Sequence, residues 1–278
     1  MSSVVQRLGE ITQPRGGYLH PSDFDVKKFD DGLPLYPIES VHPSIVGLAV
    51  DYLTRFMIGL SAEDAFCISL QGAKYAEGYG VQSSKKAADL LLKNITGLDD
   101  KSISSACKLV TFDVWYRNAL AAPASRPYNK VRVDKNTVNN ISTMVKRSMT
   151  FFEKYGPVMA DGFSFTPVVE NRDAYVKMVI TKSGTYGGYT GTVSTGDGDF
   201  LTEDTLWDFK VSKSHITSKH TLQLLMYYIM GKHSGQHIYD NISKLGIFNP
   251  RLNTVYTYDI GNISESVIRD VEKDVICY

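Results

Sequence analysis

The chain has no net charge: 30 lysines and arginines are matched by 30 aspartates and glutamates over 278 residues. No global field draws it to a polyanion, so any basic surface must be local. Lys85-Lys86, Arg126 to Arg132, Lys146-Arg147 and Lys213 to Lys219 can supply one; the plain reading of each is a solvated face. Cysteine is scarce. Cys67, Cys107 and Cys277 are far apart, and an odd, dispersed set builds neither a disulfide framework nor a zinc ribbon. No apolar run approaches the roughly 20 residues of a membrane-spanning helix. The opening MSSVVQRLGEITQPRGGYLHP lacks the apolar core of a signal peptide. The expectation is a cytoplasmic protein with no membrane partner.

Two common catalytic signatures are missing as well. Gly184 to Gly198 is glycine-rich but contains no Gly-Lys-Ser/Thr, so it is not a Walker A loop. No Gly-x-Ser-x-Gly elbow occurs, which weighs against the common α/β serine hydrolases. His215 and His220 do not share a helical face, and His233 and His237 straddle Ser-Gly, a poor zinc pair.

What is present reads as helices first and strands later. Residues 1 to 41 are rich in Gly, Pro and Asp and read as an irregular arm that packs on the body, with room for a short strand. His42 to Gly59 reads as a helix with Ser44 as N-cap, carrying Ile45, Leu48, Ala49, Tyr52, Leu53 and Phe56 at helical spacing. Further helices are expected from Ser61 to Tyr75, from Ser84 to Ile95, from Asp99 or Ser102 to about Leu120, and from Asn136 to Tyr155. Ala121 to Pro127 breaks the chain. Strands are expected at Phe163 to Val169, Tyr175 to Thr181, around Thr190 to Val193, and at Asn253 to Ile260. His220 to Gly231 reads as a helix with Leu222, Leu225, Met226 and Ile229 inward, and Ser264 caps a last helix. This order suggests a small mixed sheet flanked by helices, not a doubly wound fold.

The informative stretch is Gly196 to Val211, GDGDFLTEDTLWDFKV. Phe200-Leu201 and Thr205-Leu206-Trp207 flank the polar triplet Thr202-Glu203-Asp204, the pattern of a β-hairpin. Alternation puts Asp208 and Lys210 on one face and Phe209 on the other. The hairpin can fold Asp199 back beside them. Two carboxylates that close repel unless a cation sits between them. Hard oxygen ligands suit Mg²⁺ or Mn²⁺, and such an ion with a lysine beside it is equipment for phosphodiester hydrolysis.

Asp199 followed by Asp208-x-Lys210 resembles the PD-(D/E)XK nuclease superfamily. Gln223-Leu-Leu-Met-Tyr227 is similar to the QxxxY helix motif of its RecB-like exonuclease branch. The proline usual before the first Asp is replaced here by Gly198. The resemblance implies an α/β (α+β) protein with a restriction-endonuclease-like core running α-β-β-β-α-β, which residues from about 137 to 260 can supply. The domains expected are an arm at 1–41, a helical lobe at 42–130 and the nuclease-like core at 131–278. An alternative threads the core's first helix through 44 to 58.

The implied activity is metal-dependent hydrolysis of DNA, exonuclease-like, in recombination, phage replication or phage defence. By resemblance, Asp199, Asp208 and the Phe209 carbonyl hold Mg²⁺ or Mn²⁺, Lys210 activates water or stabilises charge, and Gln223 orients Lys210 or the water. Tyr227 contacts the strand or the phosphate. A helix acid often completes such a site, and Glu153 and Asp51 compete for that place. Some RecB-like nucleases carry a four-cysteine iron–sulfur cluster, which three cysteines cannot supply. The helical lobe offers a surface for a protein partner. The competing reading is a non-catalytic nucleic-acid- or protein-binding module on the same fold.

Overall fold

The structure, a computed structural model, describes residues 2–167 and 185–278. The expected strand at Tyr175 to Thr181 lies outside the described residues. The protein is mixed α/β. Among the described residues eight strands are present: β1 (Ser2–Ser3), β2 (Asp25–Lys28), β3 (Ala160–Ser164), β4 (Val193–Thr195), β5 (Asp197–Leu201), β6 (Thr205–Phe209), β7 (Lys244–Asn249) and β8 (Thr254–Asp259). Six form one sheet in the order β2-β8-β7-β6-β5-β3, while β1 and β4 pair in parallel.

The hairpin forms where the sequence put it. Phe200 faces Trp207 and Leu201 faces Leu206, and the turn closes with Thr202 N–H on the Thr205 carbonyl. The indole of Trp207 also donates to the Thr202 hydroxyl at 2.9 Å, so the turn is tied to the strand that follows it. On the outer side β3 runs antiparallel to β5, and on the inner side β7 runs parallel to β6. A parallel neighbour needs a crossover, and the helix Ser218–Ser234 supplies it. Leu201, Leu206, Leu245 and Ile247 share one apolar core with Leu222, Leu225, Met226 and Ile229 of that helix. Each such side chain contributes about 1.5–3 kcal/mol when fully buried. The helix is buried beyond its expected inner face, since Leu224, Tyr227 and Met230 are also inaccessible. Trp207, Phe209 and Phe248 alternate onto the other face, where Phe209 meets Phe200 and Phe248 at 5.0 and 5.3 Å. Gly246 stands opposite Trp207 for a steric reason: a Cβ there would lie 2.2 Å from the indole.

The contacts divide the chain elsewhere than at residues 41 and 130. One unit comprises Met1–Lys28, Tyr155–Asn249 and Thr254–Tyr278; the other comprises Phe29–Lys154 and Pro250–Asn253. The arm is therefore not irregular throughout. It supplies the helix Val4–Glu10 and strand β2, which pairs with β8. The long helix Lys135–Tyr155, expected in the core, groups almost entirely with the second unit.

That second unit is helical. The helix Pro43–Met57 is capped by the His42 ring, which accepts from Ser44 N–H, so His42 takes the place expected of Ser44. The helix expected from Ser61 to Tyr75 breaks at Phe66 into Ala62–Ala65 and Cys67–Gly78. Ser84–Lys93 and Asp100–Leu109 follow, the latter capped by Asp99. A tight turn at Val110–Phe112 then separates off the short helix Asp113–Arg117, so the expected run to Leu120 does not form. Among the described residues no helix is long and apolar enough to cross a membrane.

Candidate active site

Asp208 is the buried centre of the first unit. It sits in β6, 3% exposed, with its side chain on the sheet face that carries Leu206. The β5–β6 ladder places Asp199 opposite it, one step beyond the Phe200–Trp207 pair. There β5 turns from backbone to side-chain bonding: Asp199 Oδ2 accepts the Phe209 N–H at 2.7 Å. This bond fixes the Asp199 carboxylate against the strand that bears Asp208.

Lys210 emerges two residues on, and its Nζ lies 2.8 Å from Asp208 Oδ2. The two form an ion pair on a buried oxygen. Lys210 Nζ also donates to Gln223 Oε1 at 2.9 Å, and Gln223 Nε2 donates to the Tyr227 hydroxyl at 2.7 Å. Gln223 and Tyr227 are one turn apart on the crossover helix, so one face reaches both the lysine and the ring beyond it. The Tyr227 ring is held edge-on by Phe163 at 5.8 Å. All five side chains read from the two motifs therefore meet: Asp199 and Asp208 across the hairpin, then Lys210, Gln223 and Tyr227 in a hydrogen-bonded row.

The charges follow from this packing. Burial pushes the Asp208 carboxyl up to about 6, opposed by Lys210 and reinforced by Asp199. Burial alone would pull Lys210 down, but Asp208 and Asp199 together outweigh it and hold the ammonium above its ordinary value. Sequence left that competition open. The Tyr227 phenol is held well above its usual range, first by burial. His220, one turn before Gln223, is pushed down to about 4 by burial and by Lys210. Its Nδ1 accepts Thr217 N–H at 3.2 Å in the helix cap. It is a hydrogen-bond-accepting neighbour of the lysine. The sequence signal for it was only its spacing ahead of Gln223.

Gly198 leaves room for a ring. It pairs with Phe163 across β3–β5, and a Cβ there would lie 1.8 Å from the Phe163 ring. A proline or any other side chain at 198 would displace the ring that braces Tyr227.

Glu153 and Asp51, the two helix acids, both belong to the other unit, where Asp51 is engaged by Arg55 at 3.0 Å. Among the described residues no group of three acids, histidines or cysteines that could hold a metal ion occurs. His215 instead bonds Tyr256 at 2.7 Å, His233 pairs with Glu272 and His237 with Asp240. A cavity of about 670 Å³, lined chiefly by Val41, Ile45, Leu48, Val110 and Val114, is in the helical unit, and Asp199, Asp208, Lys210, Gln223 and Tyr227 take no part in it.

Comparison with protein families, with curated proteins and with solved structures returned no match.

Proposed function

We propose that the protein is a metal-dependent nuclease of the RecB-like branch of the PD-(D/E)XK superfamily, hydrolysing DNA phosphodiesters and favouring ends. The observation that carries this is the junction of two motifs thirteen residues apart, Lys210 Nζ on Gln223 Oε1, beside a buried Asp208 that faces Asp199. The order of elements supports it. A long helix, the antiparallel strands β3, β5 and β6, the crossover helix and the parallel strand β7 come in this order along the chain, with β4 and the residues outside the described ones falling between β3 and β5.

The donor set suits Mg²⁺ or Mn²⁺. The Asp208 carboxylate is buried with the Lys210 ammonium against one oxygen, and the Asp199 carboxylate stands opposite. Mg²⁺ keeps several waters and needs only one or two carboxylates from the protein, so Asp199, Asp208 and the Phe209 carbonyl suffice without Glu153 or Asp51. When bound, such an ion supplies charge stabilisation for a phosphate oxygen. The chain's own groups do the rest. Lys210, as an ammonium, stabilises negative charge developing on the phosphate. Gln223 fixes the direction of that ammonium, and Tyr227 fixes the Gln223 amide.

The test is a cleavage panel with the full-length protein: linear and circular DNA, single- and double-stranded, with Mn²⁺, Mg²⁺ or EDTA. Cleavage is expected to need the metal, to favour ends over circles, and to vanish in Asp208→Ala and Lys210→Ala. Undiminished cleavage in both variants would remove the site; no cleavage of any DNA would remove the activity.

A further inference from the structure

The helical unit exposes aromatic rings at one place without an evident structural need. Tyr75 and Tyr79 lie one turn apart at the end of the helix Cys67–Gly78, 50% and 63% exposed. Each is paired with a ring of the short helix Asp113–Arg117: Tyr75 with Tyr116 at 5.8 Å, and Tyr79 with Trp115 at 5.7 Å. Tyr116 is itself 48% exposed.

The rings are held rigidly from below. Gly72 lets the two helices touch, since a Cβ there would lie 2.0 Å from the Phe112 carbonyl oxygen. The buried Asp113 accepts from Ser69 and from Tyr52, both at 2.5 Å, tying the short helix to its two neighbours. Alongside runs a groove of about 410 Å³ lined by Gln71, Lys74, Tyr75, Gly78 and Tyr79. Its one charged residue is Lys74, exposed and without an ion pair among the described residues; no carboxylate lines it.

We infer that this surface is a stacking platform for single-stranded nucleic acid, with bases on the Tyr75–Tyr116 and Tyr79–Trp115 pairs and Lys74 at the backbone phosphate. Flat, fixed, solvent-facing rings beside a lone cation are what an unpaired strand needs. A duplex keeps its base faces stacked and cannot use them. The choice of ligand rests in part on the nuclease reading, for which the platform would hold the strand being processed.

The experiment measures binding of a fluorescein-labelled twenty-residue oligothymidylate to the full-length protein in EDTA, where no cleavage interferes. Loss of one stacking ring corresponds to about a 5- to 150-fold weakening, expected for Tyr75→Ala and for Tyr79→Ala. Tyr75→Phe and Tyr79→Phe keep the rings and should bind as the wild type does. Lys74→Ala should reduce the salt dependence, the slope of log K on log salt falling by about 0.7. Trp115 fluorescence should be quenched on binding, while Trp207, 1% exposed, contributes a constant background. Asp208→Ala should bind the oligonucleotide normally while failing to cleave, which separates the two readings. Full affinity in the Tyr75→Ala/Tyr79→Ala double variant would overturn the platform and leave the surface to a protein partner. Equal weakening by the phenylalanine variants would overturn stacking as the cause.

Discussion

Unfolding in EDTA as a function of pH interrogates the buried Asp208 directly. Its carboxyl is pushed from 3.8 up to about 6, chiefly by burial. A group whose folded pKa is raised contributes stability below its unfolded pKa and loses it as pH rises through the folded value. The shift of about two units corresponds to about 3 kcal/mol over the whole span, at 1.36 kcal/mol per unit. Between pH 4.5 and 8 about 2 kcal/mol of that should be lost, because the unfolded carboxyl is already largely ionised at the lower limit. Lys210, raised above its ordinary value, keeps its contribution throughout this window and adds no slope. The measurement is urea denaturation of the wild type and of Asp208→Asn at several pH values. The difference between the two proteins cancels most other titrations, that of His220 included. The wild type should fall relative to Asp208→Asn as pH rises, and Mn²⁺ should restore it at pH 8 far more than at pH 5, since a cation binds the carboxylate and not the acid. A flat difference across the window would refute the claim that a strained, buried carboxylate occupies this position.

Other outcomes follow from the same geometry. Gly198→Ala should destabilise by about 1–3 kcal/mol through overpacking against Phe163, read as a lower urea midpoint. Gln223→Met should cost about 1–3 kcal/mol for the stranded partners and lower the cleavage rate with little change in substrate affinity, since it frees the Lys210 ammonium and the Tyr227 hydroxyl together. Gly72→Ala should destabilise the helical unit, whereas Gly78→Ala, with nothing within 4 Å of its Cβ, should be neutral or stabilising; thermal melts distinguish the two.

The hairpin and its two acids were legible because a strand has a period of two and a short polar triplet marks the turn. Asp208 and Lys210 had to share a face, and Asp199 had to return beside them once Phe200 paired with Trp207. The QxxxY pair was legible for the corresponding reason on a helix. Strand β7 was missed because Lys244–Asn249 is short and buried on both faces, so it shows no alternation. The short strand allowed for in the arm could not be placed for the opposite reason: all four residues of β2 are exposed, and backbone bonds to β8 reveal it. The helix breaks at Phe66 and Val110 escaped because no Gly or Pro marks them. The break at Val110 comes just before Asp113, which is clamped by Ser69 and Tyr52 from forty-four and sixty-one residues away. Distance in sequence hides such causes. Gly198 read as a departure from the superfamily pattern until Phe163 was seen across the strand from it.

The charge on Lys210 constrains how such a site would work. A lysine that serves as a general base must give up its proton near neutral pH, and burial pushes in that direction. Here two carboxylates push the other way and prevail. Gln223 reinforces the outcome: its carbonyl oxygen accepts from Nζ at 2.9 Å, a contact that favours the protonated amine as the donor. The amide is in turn held in that orientation because its nitrogen is committed to Tyr227. The row from Tyr227 to Lys210 thus reads as a device for keeping a cation charged and aimed, not for withdrawing a proton from water. That outcome belongs to the metal-free site, because a divalent ion bound between Asp199 and Asp208 would offset the same two carboxylates that hold the ammonium charged. The lysine's share is electrostatic, so the neutral side chain of Lys210→Met would forfeit it even with the fold intact.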